Sequence, residues 1–142
     1  MLVRFVAAAI LLLGAPALHA QALQLITADE AKLAAAAAKP PSRAITRGPA
    51  VKLVSPEAVS GNFAFKIAFE PRGESKIDVA SVKVEYLRGS GIDLTERLKG
   101  GIKPAGIEIP AAAAPAGEHP IRVSVRDSEG RLGSAEFKLT VK

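Results

Sequence analysis

From residue 50 onward, apolar and polar residues alternate with a period of two. Phe63, Phe65, Ile67 and Phe69 alternate with Ala64, Lys66 and Ala68. Val82, Val84 and Tyr86 alternate with Lys83 and Glu85, and Ile121, Val123 and Val125 with Arg122, Ser124 and Arg126. Ala135, Phe137, Leu139 and Val141 alternate with Glu136, Lys138, Thr140 and Lys142. Successive side chains of a strand point to opposite faces, so each run predicts a strand with one buried face. Shorter candidates lie at 51–54, 92–94 and 107–109. Turn-prone clusters at 60–62, 71–73, 89–91, 100–101 and 127–130 separate them. About seven short strands spaced in this way predict an all-β sandwich or barrel. Residues 111–116 read AAAAPA, too poor in β propensity for a strand. They are expected to cross between sheets, with Pro120 at a sheet edge or at the first position of its strand.

Upstream the pattern changes. Thr27 and Glu30 have the spacing of a capping box, and residues 28–39 are almost all Ala, Lys and Leu, strong helix formers. Leu23, Ile26, Glu30, Leu33 and Ala37 would share one weakly apolar face. Pro40 and Pro41 end the helix, and 42–49 reads as a linker carrying Arg43 and Arg47. Small Ala side chains anchor poorly, so the helix is expected to be loosely docked or free. The competing expectation is a helix that binds a partner.

The first residues have a third pattern. Arg4 precedes a nine-residue apolar run from Phe5 to Leu13, then Gly14, Pro16 and small residues. This is the order of a secretory signal peptide, with a cut after Ala20 or after Ala22. The run is too short for a bilayer, which takes roughly 20 residues. The expected plan is a signal peptide over 1–20, a short helix plus Pro-rich linker over 21–49, and a sandwich over 50–142. The expected location is the periplasm, with secretion as the alternative and no transmembrane segment in the mature chain.

Composition sharpens this. The chain has 142 residues, no Cys, no Trp, one Met and two His, and a formal charge of +5. Removing residues 1–20 takes out Arg4 and no acidic residue, which leaves +4. It also removes Met1 and His19, so His119 is the only His left. Disulfides, thiolate metal sites and thiol nucleophiles are excluded. The cations Lys52, Lys66, Lys83, Arg122 and Lys138 fall on outward strand positions among acidic residues, as on a solvated sheet. Nucleic acid is not an expected partner.

Residues 115–130, PAGEHPIRVSVRDSEG, followed by 134–141, SAEFKLTV, resemble the last two strands of bacterial immunoglobulin-like domains. Val54-Ser55-Pro56 followed by residues 63–69 resembles their first two. The resemblance covers residues 50–142 and implies an immunoglobulin-like antiparallel sandwich in a small exported protein. It implies no activity, because such domains serve adhesion, enzyme accessories and envelope assemblies alike. The buried Trp and paired cysteines of antibody domains are absent. The final hairpin is also similar to that of periplasmic copper carriers. Without Met, and with His119 alone, the mature chain lacks their copper ligands.

Few residues invite chemistry. A nucleophile needs a base within hydrogen-bond reach, and His119 is the only His available. Asp78, Asp93, Glu96, Glu108 and Asp127 are candidate carboxylates for a two-carboxylate hydrolase, though none sits in an apolar setting. Residues 127–130, DSEG, offer oxygens to Ca²⁺, but fewer than the six to eight that it takes. A β-turn with Asp first and Gly fourth explains them equally. Residues 87–91 lack the frame of a phosphate loop. Phe63, Phe65, Phe69 and Phe137, on alternating apolar faces, are expected in the core, and Tyr86 in the core or at an edge rather than as a sugar platform. No catalytic, metal or cofactor residue is therefore assigned. The expected function is a non-catalytic exported interaction module that recognises a protein or envelope component. Contact points are expected at loops 72–76 and 88–92 or at a sheet edge. The alternatives are an accessory subunit docking through the N-terminal helix, and a hydrolase.

Overall fold

The computed structural model describes residues 22–34 and 47–142. The expected signal peptide, and the helix and linker over 35–46, lie outside the described residues. In chain order the strands are β1 (Leu23–Gln24), β2 (Ala50–Leu53), β3 (Ala58–Val59), β4 (Phe63–Glu70), β5 (Ile77–Tyr86), β6 (Ile92–Asp93), β7 (Ile102–Lys103), β8 (Gly106–Ala113), β9 (Gly117–Asp127) and β10 (Leu132–Val141). Helix among the described residues is limited to α1 (Ala28–Ala31), α2 (Thr95–Leu98) and a 3-10 turn at Lys99–Gly101.

These strands form two five-stranded sheets, an arrangement compatible with a β-sandwich. The first has the order β1-β8-β4-β2, with β7 also on β8; the second has the order β3-β10-β9-β5-β6. The alternating runs do what their period dictates. Phe63, Phe65, Ile67 and Phe69 of β4 are buried, as are Val82, Val84 and Tyr86 of β5 and Ile121, Val123 and Val125 of β9. Side chains from both sheets form one apolar cluster. The outward residues carry charge pairs: Lys83 with Glu85 at 2.7 Å, Lys52 with Glu70 at 2.8 Å and Lys66 with Glu108 at 3.5 Å.

The chain changes sheet between β2 and β3. β2 runs antiparallel to β4, whereas β3 runs parallel to the end of β10. Ser55 makes the transition. It is buried, its hydroxyl bonds Ala64 O at 2.9 Å, and the N–H groups of Val54 and Ser55 both donate to Lys66 O. The buried hydroxyl thus replaces ladder bonds that the bend removes.

Ten strands stand where seven were expected. The three additional ones, β1, β3 and β7, have two residues each and no period to read. β5 begins five residues earlier than its alternation, because a bulge interrupts the pattern. Asp78 pairs with Arg126 and Lys83 with Ser124, which leaves three extra residues on β5. Ser81 pins the bulge: its hydroxyl accepts from Arg126 N at 2.8 Å and donates to Asp78 O at 2.6 Å.

The crossover expected at 111–116 is confined to 114–116, which join β8 of one sheet to β9 of the other; residues 111–113 are a correction. Ala111–Ala113 continue β8, and Ala112 is fully buried opposite Phe63 and beside Leu23. Small side chains fit where a large ring faces them, and packing overrides propensity. Pro110 falls where the β4–β8 register slips, the kind of bulge where a missing N–H is tolerated. Pro120 is also corrected: it lies inside β9, a central strand. Its carbonyl accepts from Leu87 N at 2.9 Å, one residue past the end of β5. Its nitrogen faces the same side, where no ladder remains.

One side of the two-sheet body closes by backbone contact. A side chain on Gly133 would run into Pro49 O, and one on Gly48 into Leu132 O. Gly133→Ala should therefore force β10 and the entry to β2 apart, costing about 1–3 kcal/mol. Gly100→Ala, with open space around it, should cost far less. Urea denaturation of both variants checks the contrast.

Candidate functional site

The five sequence candidates among the carboxylates are not brought together. Asp78 is on the β5 bulge, where it accepts from Ala80 N at 3.1 Å. Asp93 ends β6 and accepts from Thr95 N at 2.9 Å, and this bonding to Thr95 lowers its pKa. Glu96 lies on α2 with Lys99 at 3.8 Å, and Glu108 on the outer face of β8 with Lys66. Loops 72–76 and 88–92 fall at opposite ends of the body: Ile77 pairs with Asp127, whereas Tyr86 pairs with Ile121 and Ile92.

Asp127 is the buried one. Its Oδ1 accepts from Glu129 N at 3.0 Å and Arg131 N at 2.9 Å, and its Oδ2 from Arg131 Nε at 2.8 Å. Gly130 N donates to Asp127 O at 2.9 Å, and Gly130 has φ of 75°. This is a β-turn with a left-handed Gly, closing the β9–β10 hairpin. Burial pushes the Asp127 carboxyl up, but the backbone and guanidinium donors of Arg131 and the Glu129 N–H outweigh it and hold the pKa low. Both oxygens serve the turn. Among the described residues no group of three or more His or acidic residues could hold a metal ion.

His119 is buried, 1% exposed, on β9. Its Nε2 lies 2.6 Å from Pro115 O, which can only accept, so Nε2 carries the proton. Nδ1 then accepts from the Tyr86 hydroxyl at 2.9 Å. Tyr86 is fully buried; burial pushes its hydroxyl pKa up, and nearby Arg88 offsets part of that. The pair bridges the second sheet to the 114–116 turn. Tyr86→Phe leaves a buried imidazole nitrogen without its donor. It should lower stability by about 1–3 kcal/mol, read as a shift in the urea midpoint.

The densest polar chemistry surrounds residues 22–34. The helix there is shorter than the sequence suggested, and the segment is neither loose nor free. The capping box forms: Glu30 N donates to Thr27 Oγ1 at 3.2 Å, and Thr27 N to Glu30 Oε2 at 2.9 Å. The helix ends at Ala31, and two carbonyls beyond it bond groups remote in sequence. Leu33 O accepts from Arg88 Nη1 at 3.1 Å, and Ala34 O from Gly89 N at 2.8 Å. Just before the helix, Leu25 and Ile26 are fully buried in the common core. Leu25 N donates to Ala113 O at 2.9 Å, and Leu25 O accepts from Arg97 Nη1 at 3.0 Å.

Arg97, on α2, also grips Glu30 with both arms of its guanidinium, at 2.6 and 2.8 Å. Bidentate geometry makes this the strongest class of ion pair. The Arg97 bond holds the Glu30 carboxyl at about 2, against burial that pushes it up, with Thr27 assisting. The Glu30 side chain is 17% exposed. The pair therefore contributes on the order of 2 kcal/mol at neutral pH. Sequence reasoning took Glu30 only as a cap and did not single out Arg97. The two are 67 positions apart, with no local pattern to link them.

A concavity of about 390 Å³ lies between the β5 bulge and α2, with Val79, Ala80 and Val82 on one wall and Thr95, Glu96 and Lys99 on the other. The charges lining it, Glu96 and Lys99, pair with each other on the α2 side at 3.8 Å.

No protein-family model matches the chain, and no curated protein matches it significantly.

The Glu30 carboxyl titrates lower in the folded than in the unfolded chain. Its stabilisation is complete above about pH 4.5 and disappears as the pH falls toward 2. The Leu25 amide should lose hydrogen-exchange protection over that window. Glu30→Gln should remove most of the pH dependence.

Proposed function

We propose that this protein is a non-catalytic interaction module of immunoglobulin-like build, exported to the periplasm, that recognises a protein or an envelope component. One observation carries the non-catalytic part. His119 and Asp127, the groups with most chemical potential, are buried with every polar side-chain atom held in an internal hydrogen bond. The other candidate carboxylates, Asp78, Asp93, Glu96 and Glu108, each bond a cation or a backbone N–H. A two-carboxylate glycosidase needs a pair of them converging on one space.

Strand order supports the immunoglobulin-like reading. β4 lies between β8 and β2 in one sheet, β9 lies between β5 and β10 in the other, and the opening strand is split between the two. The charge order of residues 1–20 supports export. Among the described residues no helix is long and apolar enough to cross a membrane. The accessory-subunit reading, with docking through the N-terminal helix, has less support, because Leu25 and Ile26 are engaged by this chain's own core.

Fractionation of the producing cell tests export. The protein should appear in the periplasm with an N-terminus at Gln21 or Leu23, and cytoplasmic retention would refute this part. Capture from envelope fractions at low salt and at about 0.5 M salt tests recognition: screening should strip generic anionic attraction and leave a specific partner. Turnover in a hydrolase screen that disappeared with Asp93→Asn or Glu96→Gln would overturn the non-catalytic reading.

A further inference from the structure

We infer that the seat filled by residues 22–34 is a docking site for the same residues of a second copy of this chain, so that two molecules exchange their N-terminal segments reciprocally. This goes beyond the interaction-module reading and does not depend on it.

The seat recognises a peptide by four separate features. The edge of β8 at Ala112–Ala113 takes Leu23–Gln24 as a parallel strand. The core takes Leu25 and Ile26. The Arg97 fork takes a carboxylate four residues after Ile26. Arg88 Nη1 and Gly89 N take the carbonyls of Leu33 and Ala34. This is strand addition to a sheet edge, with side-chain sockets giving specificity. The polar partners of the segment lie at residues 88, 89 and 97 and along the β8 edge at 112–113, all remote in sequence. The covalent link is thus no part of the recognition. An identical segment from another copy makes every one of these contacts, which is why exchange of identical elements is a low-cost route to dimers.

The two anchor points of the connection are far apart. Ala34 is bonded to Gly89, beside Arg88, whose Nη2 reaches Glu118 O at 2.7 Å. Gly48 abuts Leu132, which pairs with Arg126. Glu118 and Arg126 are eight residues apart on one strand, roughly 26 Å. The connection over 35–46 has enough residues to span this within one molecule. The intramolecular arrangement is favoured by the effective concentration the tether supplies; that advantage shrinks as the protein concentration rises toward it and vanishes once the tether is too short to span the gap.

Two experiments test this by light scattering at about 100 µM, a concentration below the millimolar scale of a short tether. Deleting residues 35–44 leaves three Cα–Cα steps between Ala34 and Arg47, about 11 Å at most. Closure within one molecule is then impossible. The shortened chain should be a dimer with its Leu25 amide protected from exchange. A monomer with an unprotected Leu25 amide would overturn the inference. The second test uses Glu30→Arg and Arg97→Glu in separate chains. Each alone repels its own segment and should be monomeric, with faster exchange at Leu25. In an equimolar mixture, exchange creates one reversed pair and one original pair. The mixture should therefore shift to the heterodimer, with protection restored. A mixture that stays monomeric overturns the proposal, even if a foreign envelope peptide is found in the seat.

Discussion

Two sheets that share a core leave apolar side chains open along the sides where no strand bridges them, and this chain has no cysteine to staple them. On one side the backbone itself closes the gap, with Gly48–Pro49 against Leu132–Gly133. On the other side, beside β8 and β5, closure falls to α2 and to residues 22–34. Leu94 and Leu98 come from α2, Leu25 and Ile26 from the N-terminal segment, and all four are fully buried. At about 1.5–3 kcal/mol for each aliphatic side chain buried, Leu25 and Ile26 together rival the net stability of a small domain. The bond network around Leu25, with β8 on its N–H and Arg97 on its carbonyl, holds that seal in place.

The same sealing decides the fate of the polar groups. Arg97 is drawn to the edge because Glu30 and the Leu25 carbonyl lie there together. Tyr86 and His119 satisfy each other because both sit on inward-facing positions of adjacent strands, where an unpaired polar atom costs about 1–3 kcal/mol. Asp127 is buried because a five-residue turn needs acceptors for its N–H groups. In each case the chemistry is consumed by structure. A residue type that looks catalytic in the sequence becomes a fixed hydrogen-bond partner once its neighbours are known.

Most of the fold was legible because it is written in period two. β4, β5, β9 and β10 follow their alternation, and the Asp127–Gly130 turn and the Thr27–Glu30 cap follow local rules of a few residues. What was not legible depends on partners remote in sequence. Ala111–Ala113 have poor strand propensity and become strand because Phe63 and Leu23 flank Ala112. Leu25 and Ile26 carry no period, and only the groove beside β8 shows why they are apolar. Ser81 hides the start of β5, because its hydroxyl makes a bulge stable where alternation fails. The His119–Tyr86 bond spans 33 positions and the Glu30–Arg97 pair 67. Such pairs leave no mark on local spacing.

Edge strands narrow where recognition can occur. β3, β6 and β7 have two residues each, too short to template a longer strand. The outer side of β2 lies close to β10, across the Gly48–Leu132 contact. The outward faces of both sheets carry paired charges, which repay a partner little for their desolvation. β8 also carries a long edge, and it is covered in sections. β7 pairs with Gly106 and Ile107, Gly101 presses against Glu108 O, and β1 pairs with Ala112 and Ala113. Of these covers, only β1 enters through a segment whose polar bonds, other than those within itself, all go to residues remote in sequence. The edge of β8 at Ala112–Ala113 is thus covered by a strand that is joined to it through space rather than through neighbouring sequence.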